Sequence, residues 1–431
     1  MKIFYEDILS TYNKIKPFLK VTETSYSEQI SKKFNCNLFI KFENRQNTGS
    51  FKIRGALSKL LSLSSKEKSK GVIGMSAGNH AQGLAYSGNK LNVNTNIVMP
   101  LGTPFTKIRR TKAFGGNVFL KGNDLVESKK YVNELIDKFG YIEVHPYNDY
   151  EVIKGQGTIY LEMLKQISEL DFLLVPVGGG GLLAGCSIIN NSLSPKTKLI
   201  GVESKFYPSL YNKFYKKKLK CTGSTIAEGI AVKEIGLIPY NYIKDKIDSV
   251  IQVSDSSIEQ AIAMLALTEK VVVEGAGAVG LAAIIENQKT FKNKNVGIIL
   301  CGGNIDSKII SSILMRDLVR ARQITTMTIT MPDKPGQLNI ISNICANSGA
   351  NVLRVEHNRF TMDLSASLAK LDITIETQNE DHLTKIINLI EKEGLPVTLD
   401  DNNWNYWLGL TKLSKDSKLD FILWKISKFL K

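Results

Sequence analysis

Residues 172–185 read FLLVPVGGGGLLAG. An uninterrupted apolar run ends at Val177, glycine fills positions 178 to 181, and an apolar helical pattern begins at Leu182. A strand covered on both faces carries such a run, and a helix directly after it makes a βα unit of a mostly parallel sheet. Gly178, Gly179, Gly180 and Gly181 have no side chains, so their backbone N–H groups can converge on an anion. The helix N-terminus that follows favours negative charge at the same place. A turn needing positive φ is the competing explanation, but one or two glycines would satisfy it. The Gly-Lys-Ser/Thr ending of a P-loop is absent.

The pattern repeats outward from this stretch. VIGMS (72–76), NIVMP (96–100), NVFL (117–120), KLIGVE (198–203) and VGIILC (296–301) read as further strands separated by helical segments. In open α/β sheets, ligands bind beyond the carboxyl ends of the strands. SAGNH follows one strand, the four glycines another and GGN a third. Ser76 can cap the helix that SAGNHAQG leads into, and the Asn79 amide both donates and accepts hydrogen bonds. Alone, Asn79 and His80 would be ordinary capping residues, and Cys301 a small buried hydrophobe. EGAGAVGLAA (274–283) starts a helix whose small residues allow close backbone approach. Upstream, SFKIRGA (50–56) sets Lys52 beside Phe51 at a helix entrance. Desolvation there lowers an amine's pKa and makes it a nucleophile toward aldehydes.

Composition sets the limits. The chain has 431 residues, enough for two or three domains. No run of about 18 apolar residues appears, and the start MKIFYEDILS lacks a signal-peptide pattern. Cys36, Cys186, Cys221, Cys301 and Cys345 are scattered without CxxC spacing, which suits a reducing cytoplasm and argues against a disulfide framework or zinc site. The formal charge of +15 raises the question of nucleic acid. Only nine of the 56 basic residues are arginine and the lysines are spread along the chain, so no nucleic-acid partner and no membrane partner is expected.

After about residue 322 the pattern changes. ITTMTITM reads as a strand, DKPGQL leads into a helix to Gly349, NVLRVEHNRF and SLAKLDITIET read as strands, 380–393 as a helix and LPVTL as a strand. This βαββαβ order is that of a ferredoxin-like domain. Trp404, Trp407, Phe421, Trp424, Ile426, Phe429 and Leu430 mix with lysines in the tail 401–431, which reads as an amphipathic helix packing on the body, with a membrane-surface helix as the competing reading.

TGSFKIRGA around Lys52, SAGNHAQG, VGGGGLLAG, TIAEGIAV (225–232), EGAGAVGLAA and GGNID occur in this order over roughly residues 20 to 320. In this the chain resembles the fold-type II pyridoxal 5'-phosphate (PLP) enzymes, and within them the threonine dehydratase (threonine ammonia-lyase) group. The resemblance implies an α/β fold like the tryptophan synthase β chain, with two open lobes across residues 1–322 and the smaller lobe, about 71–148, inserted in the larger. It implies Lys52 as the Schiff-base lysine and catalytic base, Phe51 beside the cofactor ring, Asn79 at the ring hydroxyl, Gly178 to Gly181 on the phosphate and Cys301 facing the pyridine nitrogen, where many relatives have Ser. Ser76, Ala77, Gly78 and His80 would contact the substrate. The reaction implied is deamination of L-threonine to 2-oxobutanoate, with L-serine as a second substrate.

Serine racemase is the nearest competitor. The racemases similar to this chain carry a Ser where Ala77 stands, and Ala77 cannot transfer a proton. They also carry a divalent-metal site. Glu203 matches its first ligand, but Ser209 stands in the second position after Pro208, so no metal is expected. The same motifs would also suit a non-catalytic amino-acid-binding regulator or a PLP-dependent β-replacement enzyme. Residues 323–400 resemble a single ACT domain, with DKPGQL (333–338) and GANVLRVEHNR (349–359) as the matching features. That resemblance implies Asp333, Gly336, Gln337 and Leu338 at an amino-acid effector site, and a homo-oligomer, dimer or tetramer, paired through these units.

Overall fold

The computed structural model describes residues 2–359 and 364–399. The chain forms two compact units, one ending at Ile313 and the other starting at Leu314. The helix Ser307–Arg320 straddles this division, which therefore falls earlier than the change of sequence pattern at 322. The tail 401–431, read above as an amphipathic helix, lies outside the described residues.

The first unit contains strands β1 (Thr24–Tyr26), β2 (Asn37–Lys41), β3 (Val72–Met75), β4 (Thr95–Met99), β5 (Asn117–Leu120), β6 (Ile142–Glu143), β7 (Phe172–Pro176), β8 (Lys198–Ser204), β9 (Ser249–Val253) and β10 (Asn295–Ile299). They make two sheets, in the orders β1-β2-β10-β7-β8-β9 and β5-β4-β3-β6. Every neighbouring pair is parallel except β1 with β2. β7 is buried along its whole length, as its apolar run requires. The helix Gly275–Glu286 is apolar nearly all round, the helix Gly181–Leu193 largely so apart from the hydrogen-bonded Ser187 and Asn190, and each is buried through its first ten residues. Helices of that kind fit only against covered sheet faces.

A charged network lies inside this unit, beneath the helix Lys52–Ser62. Arg54 is fully buried. Its Nε and Nη2 donate to the two Glu43 carboxylate oxygens at 2.8 and 2.7 Å, and its Nη1 and Nη2 donate to Glu162 at 3.2 and 3.1 Å. Lys41 Nζ donates to the same Glu162 at 2.7 Å and to the Thr22 carbonyl at 2.7 Å. Two cations and two carboxylates thus satisfy one another where water does not reach. They join β2, the turn Glu43–Arg45, the Lys52 helix and the helix Tyr150–Leu164.

The second unit contains β11 (Ile324–Pro332), β12 (Asn351–Asn358), β13 (Leu368–Glu376) and β14 (Val397–Leu399) in one sheet of order β12-β13-β11-β14, all pairs antiparallel. The helices Gln337–Ser348 and Glu380–Lys392 complete a βαββαβ order. β11 alternates strictly from Thr326 onward: Met327, Ile329 and Met331 are buried, while the threonines between them are half-exposed. The buried face joins Ile341, Ile373, Ile386 and Ile390 in one core. β12 ends at Asn358, short of the run to Phe360 read from the sequence, and Phe360 itself is outside the described residues.

Candidate active site

Sheet order decides which loops meet. β7 and β10 are neighbours, so the glycines after β7 lie beside Cys301 and Gly302 after β10. β3 and β6 are neighbours, which brings Ser76–Asn79 beside His145–Tyr147. The chain before Lys52 is stitched to the β10 loop: Phe51 N–H donates to the Cys301 carbonyl at 3.0 Å, Gly303 N–H donates to the Gly49 carbonyl at 3.0 Å, and Ser50 bridges Gly302. Lys52 therefore enters its helix at the edge of this cluster.

The Lys52 amine donates to the Pro146 carbonyl at 3.1 Å and lies 5.1 Å from the centre of the Phe51 ring. Burial lowers its pKa to about 8, against the opposing influence of Cys301 and Glu274. At pH 7 about a tenth of this amine is then uncharged, far more than of an ordinary lysine. The Asn79 amide Nδ2 donates to Glu274 Oε1 at 2.7 Å. Its Oδ1 is buried with no partner. Burial pushes the Glu274 carboxyl up to about 7, offset in part by the Asn79 hydrogen bond. Burial, and then the Glu274 charge, push the Cys301 thiol well above its ordinary range, so it stays neutral. Of the four glycines only Gly180, at φ +89°, is in the left-handed region. Backbone angle therefore requires only this one glycine, while at Gly178, Gly179 and Gly181 a Cβ would press on Ile230 or Tyr147.

The other expected site residues are placed as follows. Ser76 does not cap the helix Asn79–Lys90. Its Oγ accepts the Gly78 N–H at 3.1 Å, and Gly78 is the N-cap, without a side-chain hydrogen bond. The expectation of a Ser76 cap is corrected: the helix starts at Asn79, and its N-cap Gly78 lies two residues beyond Ser76. Ala77 and Gly78 stay half-exposed. His80 is buried, and its Nε2 donates to the Val144 carbonyl at 2.8 Å. Burial, reinforced by Lys52, lowers its pKa to about 3, so the ring is neutral and links the β3 and β6 loops. Glu203 is buried, and its carboxylate accepts from Ser209 Oγ and from the Leu210 and Tyr211 N–H groups at 2.7–3.1 Å. In the second unit Gly336 has φ +93° and precedes the helix Gln337–Ser348, so backbone conformation alone accounts for its glycine. Asp333 pairs with Arg359 at 3.4 Å, and Leu338 is exposed.

Three participants escape a reading of the sequence. Glu274 marks only a helix start there, yet its carboxylate reaches Asn79. Pro146 and Tyr147 follow a strand of only two residues, too short to give a periodic signal. Pro146 supplies the carbonyl that receives the Lys52 amine, and the Tyr147 ring lies over Gly179.

A family profile described as "Pyridoxal-phosphate dependent enzyme" matches residues 15–302, which is most of the first unit. The chain belongs to this family. Among curated members it is 38% identical over 400 residues to the L-threonine ammonia-lyase of Thermotoga maritima, covering 92% of this chain and 99% of that protein. That match extends well beyond the family profile and takes in much of the second unit. Among solved family structures, the processed form of threonine deaminase isoform 2 from Solanum lycopersicum superposes with a TM-score of 0.68 at 34% identity, covering 72% of this chain and 86% of that one. Serine racemase from Dictyostelium discoideum superposes with a TM-score of 0.67 at 33% identity, covering 70% of this chain and 99% of that one. Family membership supplies the cofactor, PLP. It does not by itself choose between ammonia-lyase and racemase.

Proposed function

We propose that this chain deaminates L-threonine to 2-oxobutanoate and ammonia, and L-serine to pyruvate more slowly, with Lys52 as the residue that moves the α-proton. The observation that carries the proposal is the Lys52 amine, desolvated to a pKa of about 8 and held on the Pro146 carbonyl. The near full-length match to an L-threonine ammonia-lyase supports the same reading.

The residues suit PLP. The cofactor brings an aldehyde, an anionic phosphate, a phenolic oxygen and a pyridine nitrogen. Lys52 answers the aldehyde, and the N–H groups of Gly178 to Gly181, with the N-terminus of the helix Gly181–Leu193, answer the phosphate. The unpartnered, buried Asn79 Oδ1 is a polar atom awaiting a partner, which supports an assignment to the phenolic group. Cys301, neutral, suits an unprotonated pyridine nitrogen. When bound, PLP stabilises the electron pair left on the α-carbon after proton removal.

The remaining work falls to side chains of this chain. Lys52, neutral, accepts the proton from the substrate's α-carbon. The β-hydroxyl leaves as water, and a water is consumed when ammonia is released, so threonine and the two products balance. Ala77 carries no group able to return a proton from the opposite face, which favours elimination over racemisation. Ser76, Ala77, Gly78 and His80 are assigned to the substrate, an assignment supported by the half-exposed Ala77 and Gly78 of this loop. The test is to incubate the PLP-loaded protein with L-threonine and with L-serine and to measure keto acid and D-amino acid. Keto acid from threonine supports the proposal, and D-serine as the main product overturns it.

The βαββαβ unit extends the proposal to regulation. Residues Asp333, Gly336, Gln337 and Leu338 form an effector site for a branched-chain amino acid, and pairing of these units makes the protein a homo-oligomer in the cytoplasm. The open space around Gly336 and the exposed Leu338 side chain support a ligand there, and the free, scattered thiols suit a reducing compartment. Isoleucine titration of the full chain and of Leu338→Ala tests the site. Equal inhibition of both, or of neither, removes it.

A further inference from the structure

We propose that Tyr147 is a positioning residue that locks the glycine loop in register with the Lys52 amine. This rests on the reading of Gly178–Gly181 as the phosphate site. The short segment after β6 touches three parts of the site through three successive residues. Pro146 turns its carbonyl to Lys52 Nζ at 3.1 Å. The base of the Tyr147 ring covers Gly179 so closely that a Cβ on Gly179 would lie 2.2 Å from Cγ and Cδ1 of the ring. Asn148 Oδ1 accepts the Ile238 N–H at 3.0 Å, just beyond Gly236, whose own N–H donates to the Gly179 carbonyl at 3.1 Å.

The segment is itself held rigid. His145 Nδ1 accepts the N–H groups of Tyr147 and Asn148 at 3.3 and 2.9 Å, and the two rings meet edge to face with centroids 4.6 Å apart. A shift of this turn would move the amine's acceptor and the loop's packing partner together. The same contact explains position 179. That glycine has no unusual backbone angle, since it is absent from the positive-φ residues, and what excludes a side chain is the Tyr147 ring. Neither Lys52 nor the glycines depend on the phenolic hydroxyl for this packing, so a phenyl ring serves equally.

The prediction is read on cofactor binding. Apo-protein is titrated with PLP, following the absorbance of the bound cofactor, and the thermal midpoint of each apo-variant is recorded alongside. Tyr147→Ala raises the dissociation constant for PLP about tenfold or more, because a displacement of order 1 Å at a positioned group is felt at that scale, while Tyr147→Phe stays within about twofold. Gly179→Ala weakens PLP binding in the wild-type background and much less in Tyr147→Ala, the non-additivity expected of two groups in contact. PLP affinity of Tyr147→Ala equal to wild type overturns the proposal. So does additivity of the two substitutions. If Tyr147→Ala does not fold, Tyr147→Leu takes its place in the same cycle, and wild-type affinity in that variant overturns the proposal equally. Wild-type protein that takes up no PLP would instead overturn the phosphate reading of the loop, and Tyr147's role with it.

Discussion

Arg54→Met is the substitution whose cost the structure fixes best. It removes a fully buried guanidinium and replaces it with a flexible apolar side chain that fills part of the space. Glu162 keeps Lys41 Nζ at 2.7 Å and the Thr22 N–H at 3.1 Å, so it remains compensated. Glu43 loses both of its guanidinium bonds, at 2.8 and 2.7 Å, and keeps only the Thr22 hydroxyl. Breaking a buried pair by removing one partner costs about 3–5 kcal/mol, chiefly the desolvation of the charge left behind. At about 2 °C per kcal/mol, the low end suited to a large unit, the thermal midpoint should fall by about 6–10 °C. The assay is a far-UV circular dichroism melt of the apo-protein. The partner variant Arg54→Met/Glu43→Gln, which removes the stranded charge, should recover more than half of the loss. A midpoint within about 1 °C of wild type for Arg54→Met would show instead that the network behaves like a surface ion pair, which contributes about 0–1 kcal/mol. The pH dependence follows from Glu162. Burial raises its pKa, but Arg54 and Lys41 outweigh burial, so its folded pKa lies below the ordinary 4.5. Its contribution is then fully present above that value and is lost as pH falls through the lower folded pKa. Wild type should lose stability on acidification in that window, and Arg54→Met should lose less.

Two further predictions concern the site. Because Cys301 stays a neutral thiol, Cys301→Ser should bind PLP with affinity within about threefold of wild type and leave the pH profile of turnover unmoved. Profiles that differ between the two by a clear pH step would mean that the thiol ionises in use. The rate of PLP uptake by apo-protein should rise with pH through about 8, where the Lys52 amine loses its proton, and level off above it. A rate still climbing toward the ordinary lysine range near 10.5 would show that Lys52 is not desolvated.

The sequence is most readable where local chemistry and tertiary placement agree. The buried strands β3, β4, β7, β8 and β10, and the edge strand β5, carry short apolar runs, and each of the loops after β3, β7 and β10 combines glycine or asparagine with a following helix or turn. The alternation in β11 reveals the first strand of the second unit in the same way. What escapes is set by pairing across long separations. β6 is two residues long and owes its existence to β3, its partner in the sheet. Glu274 and Asn79 are 195 residues apart, and no spacing rule joins them. The acids that hold Arg54 are 11 and 108 residues from it, in segments whose own patterns look unremarkable. Residue type favours Ser76 as a helix cap, while the loop geometry gives that position to Gly78.

Everything proposed for the site depends on one amine among the chain's 47 lysines carrying the cofactor. Reducing the PLP-loaded protein with borohydride, digesting it, and locating the pyridoxyl group by mass spectrometry tests this without an intermediate assumption. The label is expected on the peptide containing Lys52, and is expected to be lost, together with threonine turnover, in Lys52→Ala. A label on any other lysine, or full turnover in Lys52→Ala, would contradict the assignment.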